Sequence, residues 1–156
     1  MNKIECQHCK HCSYAFDNFM DLSVSIPRKA LRITGYIDLN ECLKSYISPE
    51  RMEECGYKCS KCKKVDNFTK ELTIFRFPKI LVVHLKRFYN SYMRREKLNT
   101  TIQIPLSCDF SQFAPHSSNN SSFYDFIDHD SKKKAKYNLY GISHHSGTLY
   151  GGHYIG

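Results

Sequence analysis

Tyr137-Asn138-Leu139-Tyr140-Gly141-Ile142-Ser143-His144-His145-Ser146-Gly147 leads through Thr148-Leu149-Tyr150 into Gly151-Gly152-His153-Tyr154-Ile155. The aromatic and aliphatic run Tyr137 to Ile142 predicts a strand. The glycines from Gly147 to Gly152 predict a turn, and His153-Tyr154-Ile155 the first residues of a returning strand. Glycine has no Cβ, so another backbone can come close to such a turn. A histidine directly after it can present its ring to a cleft. Neutral imidazole is the usual base that activates a thiol or hydroxyl nucleophile. By pattern alone, a single histidine beside a hairpin turn is more often structural than catalytic.

Working outward, His116 to Ser122 is rich in Ser and Asn, and Lys132 to Lys136 is basic. The stretch 114–135 therefore predicts an exposed insertion. Before it, Leu98, Thr100, Ile102 and Ile104 alternate up to Pro105 as a strand, while 89–97 is polar and basic and predicts a loop. Ile80 to Leu85 is a short, nearly unalternated β-branched run, which predicts a strand covered on both faces. Phe68 to Phe77 predicts another strand, broken by Pro78. Nearer the start, Leu22, Val24 and Ile26 alternate with polar residues until Pro27, a half-buried strand. Leu39, Cys42, Leu43, Tyr46 and Ile47 follow at helical spacing. Asp38 with Glu41 forms a capping box, and Ser48-Pro49 stops the helix. Strands dominate around one helix, so the fold class is α+β with a mainly antiparallel sheet.

The 156 residues suit one domain of ordinary size or part of a larger one. The longest aliphatic run, Ile80-Leu81-Val82-Val83, falls far short of a membrane helix, and Met1 to Cys6 has no apolar segment of a signal peptide. The formal charge is +8, but half of that excess lies in Lys132, Lys133, Lys134 and Lys136. So local an excess argues against a nucleic-acid surface.

Cysteine spacing says more than cysteine number. Cys6-Gln7-His8-Cys9 and Cys59-Ser60-Lys61-Cys62 are two C-x-x-C units. One alone could be a redox pair; two together favour a four-sulfur zinc site. The gap between them is much longer than the roughly 15–20 residues of a compact zinc ribbon. Cys12 and Cys55 stand near enough to substitute for a member of either unit. The preferred set is Cys6, Cys9, Cys59 and Cys62, with Cys42 and Cys108 as buried small hydrophobes.

Taken together, these motifs resemble the ubiquitin-specific protease family of cysteine deubiquitinases. Tyr137 to Gly147 with Gly151-Gly152-His153-Tyr154 is similar to that family's histidine box. Phe77-Pro78-Lys79-Ile80-Leu81-Val82-Val83-His84-Leu85-Lys86-Arg87-Phe88 resembles its central strand segment. The C-x-x-C units resemble the zinc site of its fingers subdomain, and Phe19-Met20-Asp21-Leu22-Ser23-Val24-Ser25-Ile26-Pro27 resembles the stretch after the first knuckle. The resemblance implies a partial papain-like catalytic domain over 1–156. Its fingers would cover about 1–28 and 50–76, and its palm about 29–49 and 77–156. It implies that His153 is the catalytic general base. Gly151, Gly152 and His145 would border the channel for ubiquitin's Gly-Gly tail. Cys6, Cys9, Cys59 and Cys62 would hold one structural zinc ion. The implied partners are ubiquitin and ubiquitinated proteins; no membrane is expected, and the composition weighs against nucleic acid. Unpaired thiols without a secretory signal give cytoplasm or nucleus as the default location.

The family nucleophile sits in a box like Gly-x-x-Asn-x-Gly-Asn-Thr-Cys, which these residues lack, and no Asp or Asn follows His153 to orient it. The expectation is an excerpt of a longer enzyme, without hydrolase activity by itself. Two other readings compete: a non-catalytic ubiquitin-binding module, and a zinc-ribbon nucleic-acid binder. The latter would use Phe88, Tyr89 and Tyr92 interleaved with Lys86, Arg87, Arg94 and Arg95.

Overall fold

The computed structural model describes residues 1–27, 35–53, 55–65, 67–90, 92, 95–115 and 135–156. In chain order the chain forms β1 (Asn2–Cys6), β2 (Cys12–Ala15), β3 (Leu22–Ser25), β4 (Tyr36–Asp38) and α1 (Leu39–Ile47). There follow β5 (Glu50–Met52), β6 (Phe68–Leu72), β7 (Val83–Lys86), β8 (Phe88–Asn90), β9 (Arg95–Lys97), β10 (Thr101–Gln103) and β11 (Ser107–Asp109). A short 3₁₀ turn, Ser111–Phe113, precedes β12 (Lys136–Asn138), β13 (His144–Gly147) and β14 (Gly152–Ile155).

These elements gather around two separate apolar centres. The smaller lies under the antiparallel sheet β2-β1-β6-β5, where Cys6, Cys59 and Phe68 are buried with Ile4, Cys9, Met52 and Cys62 against them. The larger gathers Leu22, Val24 and Ile26 with Ile37, Leu39, Cys42 and Leu43, closed by Ile74, Phe77, Leu98, Phe110 and Phe113. Helix α1 shows why these residues fold as they do. Its buried residues Leu39, Cys42 and Leu43 share one face. The Asp38 carboxylate accepts the Asn40 N–H at 2.6 Å, satisfying an otherwise orphaned donor. Ser48 leaves the helical region at φ −57°, ψ 130°, as a residue before proline must.

The helix and β3 stand as the sequence predicts; other expectations need correction. Of the Tyr137–Ile142 run only Tyr137 and Asn138 lie in a strand, Lys136–Asn138, and of the Leu98–Ile104 run only Thr101–Gln103 does. The Phe68 strand ends at Leu72, because Thr73 and Ile74 turn away to bond Met1 O and Phe113 O. The Ile80 run is not covered on both faces: Ile80 is 60% and Val82 51% exposed, and only Val83–Lys86 pairs, in parallel with β3. That parallel pair, and a second between β4 and β10, interrupt a sheet system whose other pairings are antiparallel. Residues 89–97 are not simply a loop, for β8 and β9 pair from Phe88↔Lys97 to Asn90↔Arg95 as a hairpin. Of the expected insertion, 116–134 lie outside the described residues, while its flanks Ala114, Pro115 and Ala135 are buried rather than exposed.

Candidate functional site: a four-sulfur cluster and a histidine hairpin

The two C-x-x-C units fold into matching knuckles. In each, the first cysteine's N–H donates to a carbonyl five residues on: Cys6 to His11 O at 2.9 Å, Cys59 to Lys64 O at 2.9 Å. In each, its carbonyl accepts from four residues on: Lys10 N at 2.9 Å, Lys63 N at 3.0 Å. The residue after each second cysteine is left-handed, Lys10 at φ 57° and Lys63 at φ 63°, a conformation non-glycine residues adopt at a cost. The antiparallel ladder from Asn2↔Leu72 to Cys6↔Phe68 then carries one knuckle to the other.

Cys6 Sγ lies 3.9 Å from Cys62 Sγ, and Cys9 Sγ 3.6 Å from Cys59 Sγ. All four sulfurs fall within 4.8 Å of one another. A tetrahedral zinc with sulfurs at about 2.3 Å sets them about 3.8 Å apart, so the cluster fits that ion. The Cys62 backbone N–H lowers the Cys59 thiol to about 6, helped by Lys61 N–H against burial. Lys64 N–H acts to lower Cys62, but burial and the thiols of Cys59, Cys9 and Cys6 hold it up at about 11. A zinc ion held by the four would take them as thiolates, so binding it would release protons.

Cys12 and Cys55 stand outside the cluster. The Cys12 thiol lies 3.8 Å from Glu5 Oε2, and Cys55 faces Met52 O at 3.8 Å. Cys42 is fully buried, and burial and then Glu41 push its thiol up. Cys108, half-buried 3.6 Å from Asn40 Oδ1, is likewise raised by burial. Neither is a candidate nucleophile, since the thiolate is the reactive form.

At the other end of the chain, β13 and β14 pair with His145 opposite Tyr154, Ser146 opposite His153 and Gly147 opposite Gly152. Side chains alternate across a strand, so His145 and Tyr154 share one face while Ser146 and His153 share the other. The His145 ring lies 4.7 Å from Tyr154 and 5.4 Å, edge on, from Phe88 of β8. That face docks the hairpin. His153 stands on the opposite face of a strand exposed along its whole length.

Two glycines shape the turn. Gly147 sits at φ +124°, where a Cβ would meet Gly151 O and Gly152 Cα at 2.5 Å. A Cβ on Gly152 would strike the His145 ring and Ser146 O, whereas one on Gly151 would meet nothing within 4 Å. His145 is held below the usual imidazole range by burial, then by the Lys97 and His144 charges. Its Nδ1 is buried without a hydrogen-bond partner among the described residues. Reasoning from sequence missed Lys97. Its ammonium donates to His145 O at 3.1 Å and Gly147 O at 2.9 Å, from a segment that looked like a loop.

The family model described as "Ubiquitin carboxyl-terminal hydrolase" matches residues 2–156. The chain belongs to the ubiquitin carboxyl-terminal hydrolase family. Among its relatives, Ubiquitin carboxyl-terminal hydrolase 2 of Gallus gallus is 39% identical over 155 residues, covering 98% of this chain and 39% of that protein. The Homo sapiens hydrolase of the same name is 36% identical over 157 residues, covering 98% of this chain and 23% of that protein. A chain in the SAGA DUB module of Ubp8, Sgf11, Sus1 and Sgf73 bound to monoubiquitin superposes with a TM-score of 0.76 at 28% identity. That match covers 98% of this chain and 30% of the other. The same module bound to ubiquitin aldehyde gives a TM-score of 0.75. The chain thus spans 39% or less of the length of these hydrolases.

Proposed function

We propose that this chain supplies the general base and the metal-bearing fingers of a cysteine protease that cleaves after ubiquitin's C-terminal glycine. The observation that carries this is His153 on the open face of a glycine-turn hairpin, in a chain matched along residues 2–156 by the hydrolase family. The neutral imidazole of His153 takes the proton of a cysteine thiol that these 156 residues do not contain in a suitable setting. The thiolate attacks the carbonyl of ubiquitin's last glycine. The lysine amine leaves with a proton, and a thioester forms. Water, deprotonated by the same ring, releases ubiquitin.

Gly151 and Gly152, with His145 beside them, border the passage for the Gly-Gly tail. The open space at Gly151 supports this, because nothing among the described residues requires a glycine there. Cys6, Cys9, Cys59 and Cys62 would hold one zinc ion. Four sulfurs leave no open coordination position, so the ion supplies fold stability rather than chemistry. The fingers, taken as 1–28 and 50–76, contain the four-stranded sheet; β3, inside that range, packs into the larger core of the palm. Ubiquitin and its conjugates are the proposed partners; the similar SAGA DUB modules are bound to monoubiquitin and to ubiquitin aldehyde. No described helix is long and apolar enough to cross a membrane, and eight unpaired cysteines favour a cytoplasmic or nuclear location.

The pure chain should not cleave a fluorogenic ubiquitin substrate. The longest natural polypeptide containing it should, and His153→Ala should lower its kcat on the order of a thousandfold or more. Elemental analysis should find one zinc per chain, lost on replacing Cys59 and Cys62 together by serine. Undiminished turnover in the His153 variant would refute the base assignment. Unchanged zinc in the double variant would refute the ligand set.

A further inference from the structure

We propose that Lys97 is a positioning residue for His153, clamping the outer edge of β13 so that the hairpin presents its other face at a fixed height and angle. The proposal rests on His153 being the general base. Strands β13 and β14 form a two-stranded sheet among the described residues, and an isolated hairpin is marginally stable in water. Alternate carbonyls of a strand share one side, so those of His145 and Gly147 open on the edge away from the ladder. Lys97 Nζ reaches both, at 3.1 and 2.9 Å. These carbonyls flank Ser146, the residue directly opposite His153.

Lys97 closes β9, whose partner β8 begins with Phe88, and Phe88 is also the ring packed edge on against His145. The β8–β9 hairpin therefore grips the histidine hairpin twice, by an ammonium on its edge and an aromatic ring on its docking face. It is itself anchored to the segment that follows: Leu98 is buried and donates to Arg87 O at 2.7 Å, while Arg87 reaches Leu98 O and Thr100 O. A charge-assisted hydrogen bond is stronger and shorter than a neutral one, and an ammonium can serve two carbonyls at once.

The test compares Lys97→Met with Lys97→Arg. In the zinc-loaded chain, Lys97→Met should speed amide exchange in His144–Gly147 and Gly152–Ile155 by about tenfold while leaving β1 and β6 unchanged. The same variant should move the His145 ring titration upward by removing a nearby charge. In the longest natural polypeptide, kcat should fall about ten- to a hundredfold with KM within a factor of about two, as a displaced base requires. Lys97→Arg should restore most of both. Wild-type exchange and turnover in Lys97→Met would overturn the proposal. So would a uniform rise in exchange throughout the chain, or an arginine variant no better than methionine. A wild-type polypeptide that cleaves no ubiquitin substrate would instead strike the enzyme reading, leaving exchange and the His145 titration to decide whether Lys97 clamps the hairpin.

Discussion

Gly151 and Gly152 are adjacent and both exposed, yet they are glycine for different reasons. A Cβ on Gly152 would run into the His145 ring and the Ser146 carbonyl, a backbone atom that cannot swing aside. Overpacking of this kind costs about 1–3 kcal/mol, so Gly152→Ala should lose local stability of that order in denaturant titration or amide exchange. Gly151→Ala meets open space and should leave stability within about 0.5 kcal/mol. If the tail passage lies there, Gly151→Ala will weaken ubiquitin capture all the same. Calorimetric titration with ubiquitin separates the two effects. His145 adds a pH signature. Its folded pKa is held below the unfolded value of about 6.5, so the folded state takes up fewer protons than the unfolded one as pH falls. That contribution to stability is intact above pH of about 6.5 and diminishes below it. The denaturation midpoint should therefore drop between neutral and mildly acidic pH, and drop less in His145→Phe. An equal drop in both would remove His145 as the cause.

Elements whose signal is local were legible from the sequence. Helix α1 was written in the spacing of Leu39, Cys42 and Leu43 and in the Asp38 cap, and it appears with Asp38 at its N-cap, bonded to Asn40 N, and Ser48 at its C-cap. Asp38→Ala should cost about 1 kcal/mol, and Asp38→Asn should keep most of it, as chemical denaturation will register. The knuckles were equally plain, because four thiols at C-x-x-C spacing have few other uses; of the cysteines that might have substituted, Cys12 and Cys55 simply face other partners. What failed was everything decided at a distance. The run Ile80 to Leu85 has the composition of a doubly covered strand, yet the described elements cover only part of it, and Val82 and Ile80 stay exposed. The polar segment 89–97 carries no strand periodicity. Its pairing is imposed by its neighbours: Phe88 rests on His145, and Lys97 bonds β13. The two parallel pairs, β3–β7 and β4–β10, join segments far apart in sequence, and no short-range pattern announces such contacts. The histidine hairpin lay between these cases. Its turn was visible in the glycines, while the reason for Gly152 was hidden in the ring it touches.

At the scale of the whole molecule, the two apolar centres differ in self-sufficiency. Among the described residues the larger has fourteen buried members, from β3 and Ile26, β4, α1 and the chain around Phe110–Ala114, with Ile74, Phe77, Leu98 and Ala135 added from other segments. The smaller has three, and two of them are cysteines whose sulfurs belong to the cluster. Phe68 is its one large buried side chain among the described residues, worth about 2–3 kcal/mol of burial, far too little to hold a four-stranded sheet in place. Next to the end of the β1–β6 ladder, Thr73 N bonds Met1 O and the following Ile74 N crosses to Phe113 O at 2.9 Å, linking the sheet to the larger centre. A sheet so poor in apolar burial needs a cross-link, and a zinc ion at the proposed four-sulfur site would supply it, on the order of 10 kcal/mol in small sites. Removing the metal with a strong chelator should therefore unfold one end of the molecule and spare the other. Amides of β1, β2, β5 and β6 should exchange on the order of a hundredfold faster, while those of β3 and α1 change little. Serine at Cys59 and Cys62 should reproduce that pattern without chelator. Exchange that accelerates evenly through both centres would mean that they form a single cooperative unit and that the cluster is not a local staple.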